Sequence, residues 1–214
     1  MTGGRGCSPY VATVMLLLVV LGGGALVRRH SSNKRPDTLV VGDSVTYLSA
    51  GPIQTQLGPS QVQLIGLPGY RSLDIYPYVQ KALDQHSGPS ASRQRAIFLV
   101  GYNDVMRRSV DSVALAPMLK QANSFECSVW LSLPVRPGGA RSAEPRYDPD
   151  RATAWNARVA DLAPAYPHVH VSDRWANAVD APGEMLLQVD GVHPNAAGQQ
   201  QLAQEMSAAL DTAC

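Results

Sequence analysis

From Thr38 onward, short uninterrupted apolar runs alternate with amphipathic segments. Thr38–Val41, Val62–Ile65, Ala96–Val100, Ser128–Leu133 and Val169–Val171 read as strands, and Thr46–Leu57, Ser72–His86, Ser109–Gln121, Arg151–Ala163 and Ala196–Leu210 as helices. Continuous apolar runs are what strands buried on both faces require, and intervening helices supply the crossovers of a parallel sheet. The pattern therefore predicts an α/β domain, a three-layer α/β/α sandwich around a five-stranded parallel sheet. One segment, Pro134 to Asp150, is irregular and rich in Pro, Gly and Arg. It leaves the carboxyl end of the fourth strand and reads equally as a substrate-contacting loop or a solvated connection. No internal repeat or low-complexity tract is present.

A different pattern precedes the domain. Tyr10 to Val27 is almost wholly apolar, preceded by Arg5 and followed by Arg28 and Arg29. The run is at the lower edge of what spans a bilayer and slightly long for the core of a cleaved signal. It is expected to be an uncleaved transmembrane signal anchor, although Gly23-Gly24-Ala25 leaves cleavage of a signal peptide open. The chain thus divides into a short tail (1–9), the apolar segment (10–27), a basic proline-containing linker (28–37) and the domain (38–214). Arg28, Arg29, Lys34 and Arg35 outnumber the positive charges before the run, which by itself would keep the domain inside the cell. The short tail and the export usual for such leading segments favour an extracytoplasmic domain, attached to the cell membrane or secreted after cleavage.

The 214 residues are enough for one sizeable core, and the net charge of +1, without any basic stripe interleaved with aromatics, sets nucleic acid aside as a partner. Of the three cysteines, Cys7 precedes the apolar run and lacks a lipobox context. Cys127 and Cys214 could join the C-terminus to a central strand outside the cytoplasm, or remain two buried thiols. The domain is expected to be a monomer.

Sites on open parallel sheets lie beyond the carboxyl ends of the strands. Polar residues follow the apolar runs there: Ser44 after the first, Gly66 and Gly69 after the second, and Asn103 after the third, while Asp190 and His193 precede the last helix. Ser44 can be read as a nucleophile or as a helix N-cap. A serine hydroxyl becomes nucleophilic when a base removes its proton and an acceptor fixes that base's tautomer, and Ser44, His193 and Asp190 supply the three groups. Taken singly, Asp190-Gly191-Val192-His193 could be a turn whose carboxylate accepts backbone N–H bonds, and Asn103-Asp104 a turn closing the third strand. Asp43 reads as fixing the turn before Ser44. His168 and His170 could in principle bind metal with Asp173, but no Cys or Glu completes a ligand set, so they are read as structural.

Four blocks, Val41-Gly42-Asp43-Ser44, Gly66-Leu67-Pro68-Gly69, Gly101-Tyr102-Asn103-Asp104 and Asp190-Gly191-Val192-His193-Pro194-Asn195, resemble those of the SGNH (GDSL-type) hydrolases. That family is named for the Ser, Gly, Asn and His of its four blocks. Val45 stands where the family usually has Leu, a packing difference. The resemblance runs from Leu39 to Leu210 and implies a flavodoxin-like fold. It also implies Ser44 as nucleophile, His193 as general base and acid, and Asp190 as its orienting partner. The oxyanion hole would comprise the N–H groups of Ser44 and Gly69 and the Asn103 amide; Gly69 is chosen over Gly66 because the later glycine usually fills that role. Thr46, two positions after Ser44, departs from the Gly-x-Ser-x-Gly elbow of α/β-hydrolases.

The resemblance implies ester hydrolysis through an acyl-enzyme, with no cofactor and no metal. O-acyl transfer with the same residues, or a catalytically silent membrane-tethered binding domain, are the alternatives. A small-molecule, lipid or acylated-glycan ester is the expected substrate. Arg107, Arg108, Arg136, Arg141 and Arg146 near strand ends hint at an anionic or polar one.

Overall fold

The computed structural model describes residues 37–59, 61–85, 95–108, 113–135, 147–183 and 185–214. The chain divides into two units, Met1–Lys34 and Arg35–Cys214, and all described residues lie in the second. The apolar run at 10–27, its flanking charges, most of the linker and Cys7 lie outside them. Among the described residues no helix is long and apolar enough to cross a membrane.

Five parallel strands form one sheet: β1 (Thr38–Gly42), β2 (Val62–Gly66), β3 (Arg95–Leu99), β4 (Cys127–Leu131) and β5 (Val169–Ser172), in the order β2-β1-β3-β4-β5. All five expected strands are present, with ends shifted by one or two positions. The order reverses between β1 and β3, which makes the carboxyl ends of those strands the switch point where such sheets bind ligands. Helices cover both faces: α1 (Ser44–Leu48), α2 (Ala50–Leu57), α3 (Ser72–Gln85), α4 (Tyr102–Met106), α5 (Leu115–Ala122), α6 (Pro149–Leu162), α7 (Arg174–Asp180) and α8 (Ala196–Ala213). On one side α2 and α7 pack against α8, and on the other α5 packs against α3 and α6. Between these layers the sheet is dry: Val40, Val41, Ile97, Phe98, Val129 and Trp130 have no exposed surface, and the Phe98 and Trp130 rings stack with centroids 5.5 Å apart.

The helical expectations need correction in three places. The helix expected over Thr46–Leu57 starts earlier, at Ser44, because Asp43 caps it, and breaks at Ser49. There the Ser49 hydroxyl donates to the Val45 carbonyl at 2.9 Å, a local bond that competes with helix continuation. The helix expected over Ser109–Gln121 begins only at Leu115, after a turn at Val113 and Ala114, and residues 109–112 lie outside the described ones. Two helices, α4 and α7, were not anticipated, since segments of five and seven residues are too short to show a helical period.

Candidate active site

Each candidate residue is held by its own local device. Gly42 ends β1 where a Cβ would collide with the Thr46 hydroxyl and come within 2.8 Å of the Leu99 carbonyl oxygen, so only glycine lets the chain turn here. Asp43 then takes the N-cap: its Oδ1 accepts the Val45 N–H at 3.0 Å. This removes the N-cap reading of Ser44, which becomes the first residue of α1. Its own N–H sits among the helix's leading amides that have no intrahelical acceptor.

Beside it, after β2, Leu67-Pro68-Gly69-Tyr70 forms a turn closed by the Tyr70 N–H donating to the Leu67 carbonyl at 3.1 Å, with Gly69 at φ 78°. Pro followed by a positive-φ Gly is the type II pattern. The Leu67 N–H donates to the Gly42 carbonyl at 3.0 Å and ties this turn to the end of β1. After β3, Asn103 lies on α4 and is buried. Its Nδ2 has no hydrogen-bond partner among the described residues, nor has Asp43 Oδ2, although the Asn103 amide stands close enough to favour the charged form of Asp43. A buried donor without a partner costs about 1–3 kcal/mol, so its retention calls for an explanation.

The last two residues come from a loop braced like a hairpin. Leu187 and Pro194 form an antiparallel bridge, the Gln188 N–H donates to the His193 carbonyl at 2.8 Å, and the Asn195 N–H to the Leu186 carbonyl at 3.0 Å. Asn195 also caps α8 by accepting the Gly198 N–H at 3.0 Å. Within the loop, Asp190 Oδ1 accepts the N–H groups of Val192 and His193 at 2.9 and 3.0 Å, as the turn reading expected. Its Oδ2 is left to the imidazole: His193 Nδ1 stands 2.6 Å away, and His193 Nε2 lies 2.9 Å from Ser44 Oγ. Turn and triad geometry therefore coexist in one carboxylate.

The charges follow from these contacts. Burial pushes the Asp190 carboxyl up, but bonds from the His193 ring and the Val192 and His193 N–H groups outweigh it, and its pKa falls below the ordinary carboxylate value. A charged acceptor at Oδ2 favours the imidazole tautomer that carries its proton on Nδ1 and turns an acceptor nitrogen toward the Ser44 hydroxyl. Asp43 behaves oppositely. Full burial, aided by the Asp104 charge and opposed by the Val45 N–H, raises its pKa to about 7.

The other chemistry-bearing candidates lie elsewhere. His168 Nδ1 faces the Phe125 carbonyl at 2.9 Å and the Asn123 carbonyl at 3.2 Å, and Asp173 accepts the Ser132 hydroxyl. Among the described residues no group of three or more His, Cys, Asp or Glu side chains is placed to hold a metal ion. Arg107 and Arg108 are exposed at the end of α4, while Arg136, Arg141 and Arg146 lie outside the described residues. Sequence reading missed the Asn195 cap and bridge that brace the His193 loop; an Asn just before the last helix was the available signal.

Over residues 40–201 the chain matches the GDSL-like lipase/acylhydrolase family. The chain belongs to that family, and it is an enzyme of the SGNH serine hydrolase class. No curated protein matches it. Among solved structures, it resembles a GDSL-like lipase from Bacteroides thetaiotaomicron, with TM-score 0.63, 16% identity, and 90% of this chain and 95% of that one covered. The lipase/acylhydrolase of Enterococcus faecalis gives 0.62 and 17%, over 84% and 96%. The catalytic domain of Streptococcus pneumoniae peptidoglycan O-acetyltransferase A, solved with a methylsulfonyl adduct, gives 0.56 and 17%, over 83% and 94%.

Proposed function

We propose that this SGNH enzyme hydrolyses esters at the cell envelope, with Ser44 as nucleophile, His193 as base and Asp190 as the group that orients it. His193 Nε2 takes the Ser44 proton as Oγ attacks the ester carbonyl. The oxygen that becomes negative is received by the N–H groups of Ser44 and Gly69 and by the Asn103 amide, which gives the unpartnered Nδ2 its acceptor. The protonated imidazole returns its proton to the departing alcohol, and a water activated by the same nitrogen releases the acid and restores Ser44. The observation that carries this reading is the unbroken relay from Ser44 Oγ through both imidazole nitrogens to Asp190 Oδ2, at 2.9 and 2.6 Å.

The envelope location is supported by the apolar run at Tyr10 to Val27 and by a disulfide joining Cys127 to Cys214. Disulfides persist in oxidising compartments, which weighs against the intracellular placement that the flanking arginines suggest. Small-molecule, lipid and acylated-glycan esters are the candidate substrates.

The test is Ser44→Ala assayed with short-chain esters and a fluorophosphonate probe. Turnover and covalent labelling should both vanish while the fold is kept; undiminished labelling would overturn the assignment. Transfer of the acyl group to a sugar hydroxyl is the second reading, favoured by the likeness to the O-acetyltransferase catalytic domain. Free acid and acylated sugar measured in the same reaction separate the two.

A further inference from the structure

We propose that Asp104 is a positioning residue for the oxyanion hole: by gripping Ser72 it fixes the turn that carries Gly69 relative to the helix that carries Asn103. The inference rests on the roles given above to Gly69 and Asn103. Those two residues follow β2 and β3, which pair with opposite edges of β1 and not with each other. Two strand spacings, about 9.5 Å, separate the ends of such strands. Among the described residues no backbone hydrogen bond joins the turn and the start of α3 to α4. Something else must set their separation.

Asp104 spans that gap. Its Oδ2 accepts the Ser72 N–H at 2.8 Å and its Oδ1 accepts the Ser72 hydroxyl at 2.8 Å. Asp104 is 1% exposed and Ser72 fully buried, so water does not compete for either bond. Two parallel bonds to one carboxylate fix orientation as well as distance. Asp104 is bonded to Asn103 in the chain, and Ser72 lies three positions after Gly69, so little slack remains between the clamp and either donor. A helix cap alone would not need a residue from across the sheet, and Asp74, on α3 itself, already returns a bond to the Arg71 N–H.

The contribution is geometric and not electrostatic, because a negative charge beside Asn103 opposes the oxyanion that Asn103 would stabilise. Asp104→Asn would still accept the Ser72 N–H and would keep the second contact with its direction reversed, the amide nitrogen donating to the Ser72 hydroxyl oxygen, while losing the charge.

Asp104→Ala, Asp104→Asn and Ser72→Ala, made in the full chain, test this by ester kinetics and by deuterium exchange of peptides covering 67–74. In Asp104→Ala, kcat should fall about 30- to 100-fold, with KM within about threefold. Exchange over 67–74 should quicken. Asp104→Asn should return kcat to within about fivefold of the parent and restore slow exchange, with Ser72→Ala between the two. Unchanged kcat or unchanged exchange in Asp104→Ala overturns the proposal, as does an Asp104→Asn variant no better than Asp104→Ala. Should Asp104→Ala fail to fold, Ser72→Ala decides by the same two measurements. A parent chain with neither turnover nor labelling sinks the proposed function instead, and exchange alone then judges the clamp.

Discussion

His193 Nε2 and Ser44 Oγ stand 2.9 Å apart although 149 positions separate them in the chain. Neither side chain is placed by the other. Ser44 is set by the Gly42 turn and the Asp43 cap, and His193 by a braced loop whose carboxylate both shapes the turn and holds the ring. A rigid support on each side is what keeps the hydroxyl and the imidazole in register without strain from their contact.

Asp190→Asn separates those two duties. The amide oxygen can still accept the Val192 and His193 N–H groups, but the amide nitrogen then faces Nδ1 and forces it to accept. The ring proton moves to Nε2, which can no longer take the proton of Ser44. We expect kcat to fall by about 10³- to 10⁴-fold with the thermal midpoint nearly unchanged. A variant that keeps a tenth of parental activity would show that the carboxylate does not set the tautomer.

Asp43 predicts how stability depends on pH. Its native pKa is about 7 against 3.8 for a free carboxyl, so between those values the folded state holds a proton that the unfolded state has lost. The contribution is fullest below about pH 4, declines as pH rises, and is gone above about pH 7, a span worth about 4 kcal/mol at most. Asp43→Asn keeps an acceptor for Val45 and removes the titration. Urea unfolding from pH 4.5 to 8.5 should show the variant matching the parent in acid and exceeding it by about 2–4 kcal/mol at pH 8. A difference that does not change with pH would mean that Asp43 ionises as an ordinary carboxyl.

The strands and the Asp190–His193 pair were legible because both are written locally. A continuous apolar run marks a buried strand whatever it pairs with, and Asp190 and His193 lie in one loop, three positions apart. What could not be read depends on partners distant in sequence. The break at Ser49 is a local exception: Pro52 has no N–H and its ring would meet the Leu48 carbonyl of a continuous helix, a breaker that apolar periodicity passes over. The Ser72–Asp104 contact joins residues 32 positions apart, and the block that contains Asp104 does not say which residue it grips. For Cys127 and Cys214, composition left both a bridge and two thiols open, and only the approach of the C-terminus to β4 distinguishes them.

Two glycines of the site should respond differently to alanine. At Gly42 the new Cβ runs into the fully buried Thr46 and into the Leu99 carbonyl. Overpacking of this kind costs about 1–3 kcal/mol and should displace Ser44, lowering kcat as well. At Gly69 a Cβ meets nothing within 4 Å, and the cost is only that of a left-handed φ, about 1–2 kcal/mol, paid if the turn keeps its shape. Urea midpoints and kcat for both variants give the comparison. Greater destabilisation at Gly69 than at Gly42 would reverse this assignment of steric and backbone costs.

The Cys127–Cys214 bridge should matter for stability and not for chemistry. Cys127 opens β4, at the end of the sheet opposite the carboxyl ends where Ser44 and Asn103 lie, and Cys214 follows α8. The bridge closes a loop spanning 87 positions, which in the chain-entropy model removes about 4–5 kcal/mol of freedom from the unfolded chain. In the native state it pins the last turn of α8, the helix whose first turn is capped from the His193 loop. Loosening the far end should leave that cap in place, because the intervening turns pack on the sheet through Leu202, Ala203, Met206, Ala209 and Leu210. Cys127→Ser/Cys214→Ser, or reduction of the parent, should therefore lower the unfolding free energy by several kcal/mol while kcat at 25 °C stays within about twofold. A parallel collapse of kcat under conditions where the protein remains folded would show that α8 transmits the position of the C-terminus to His193.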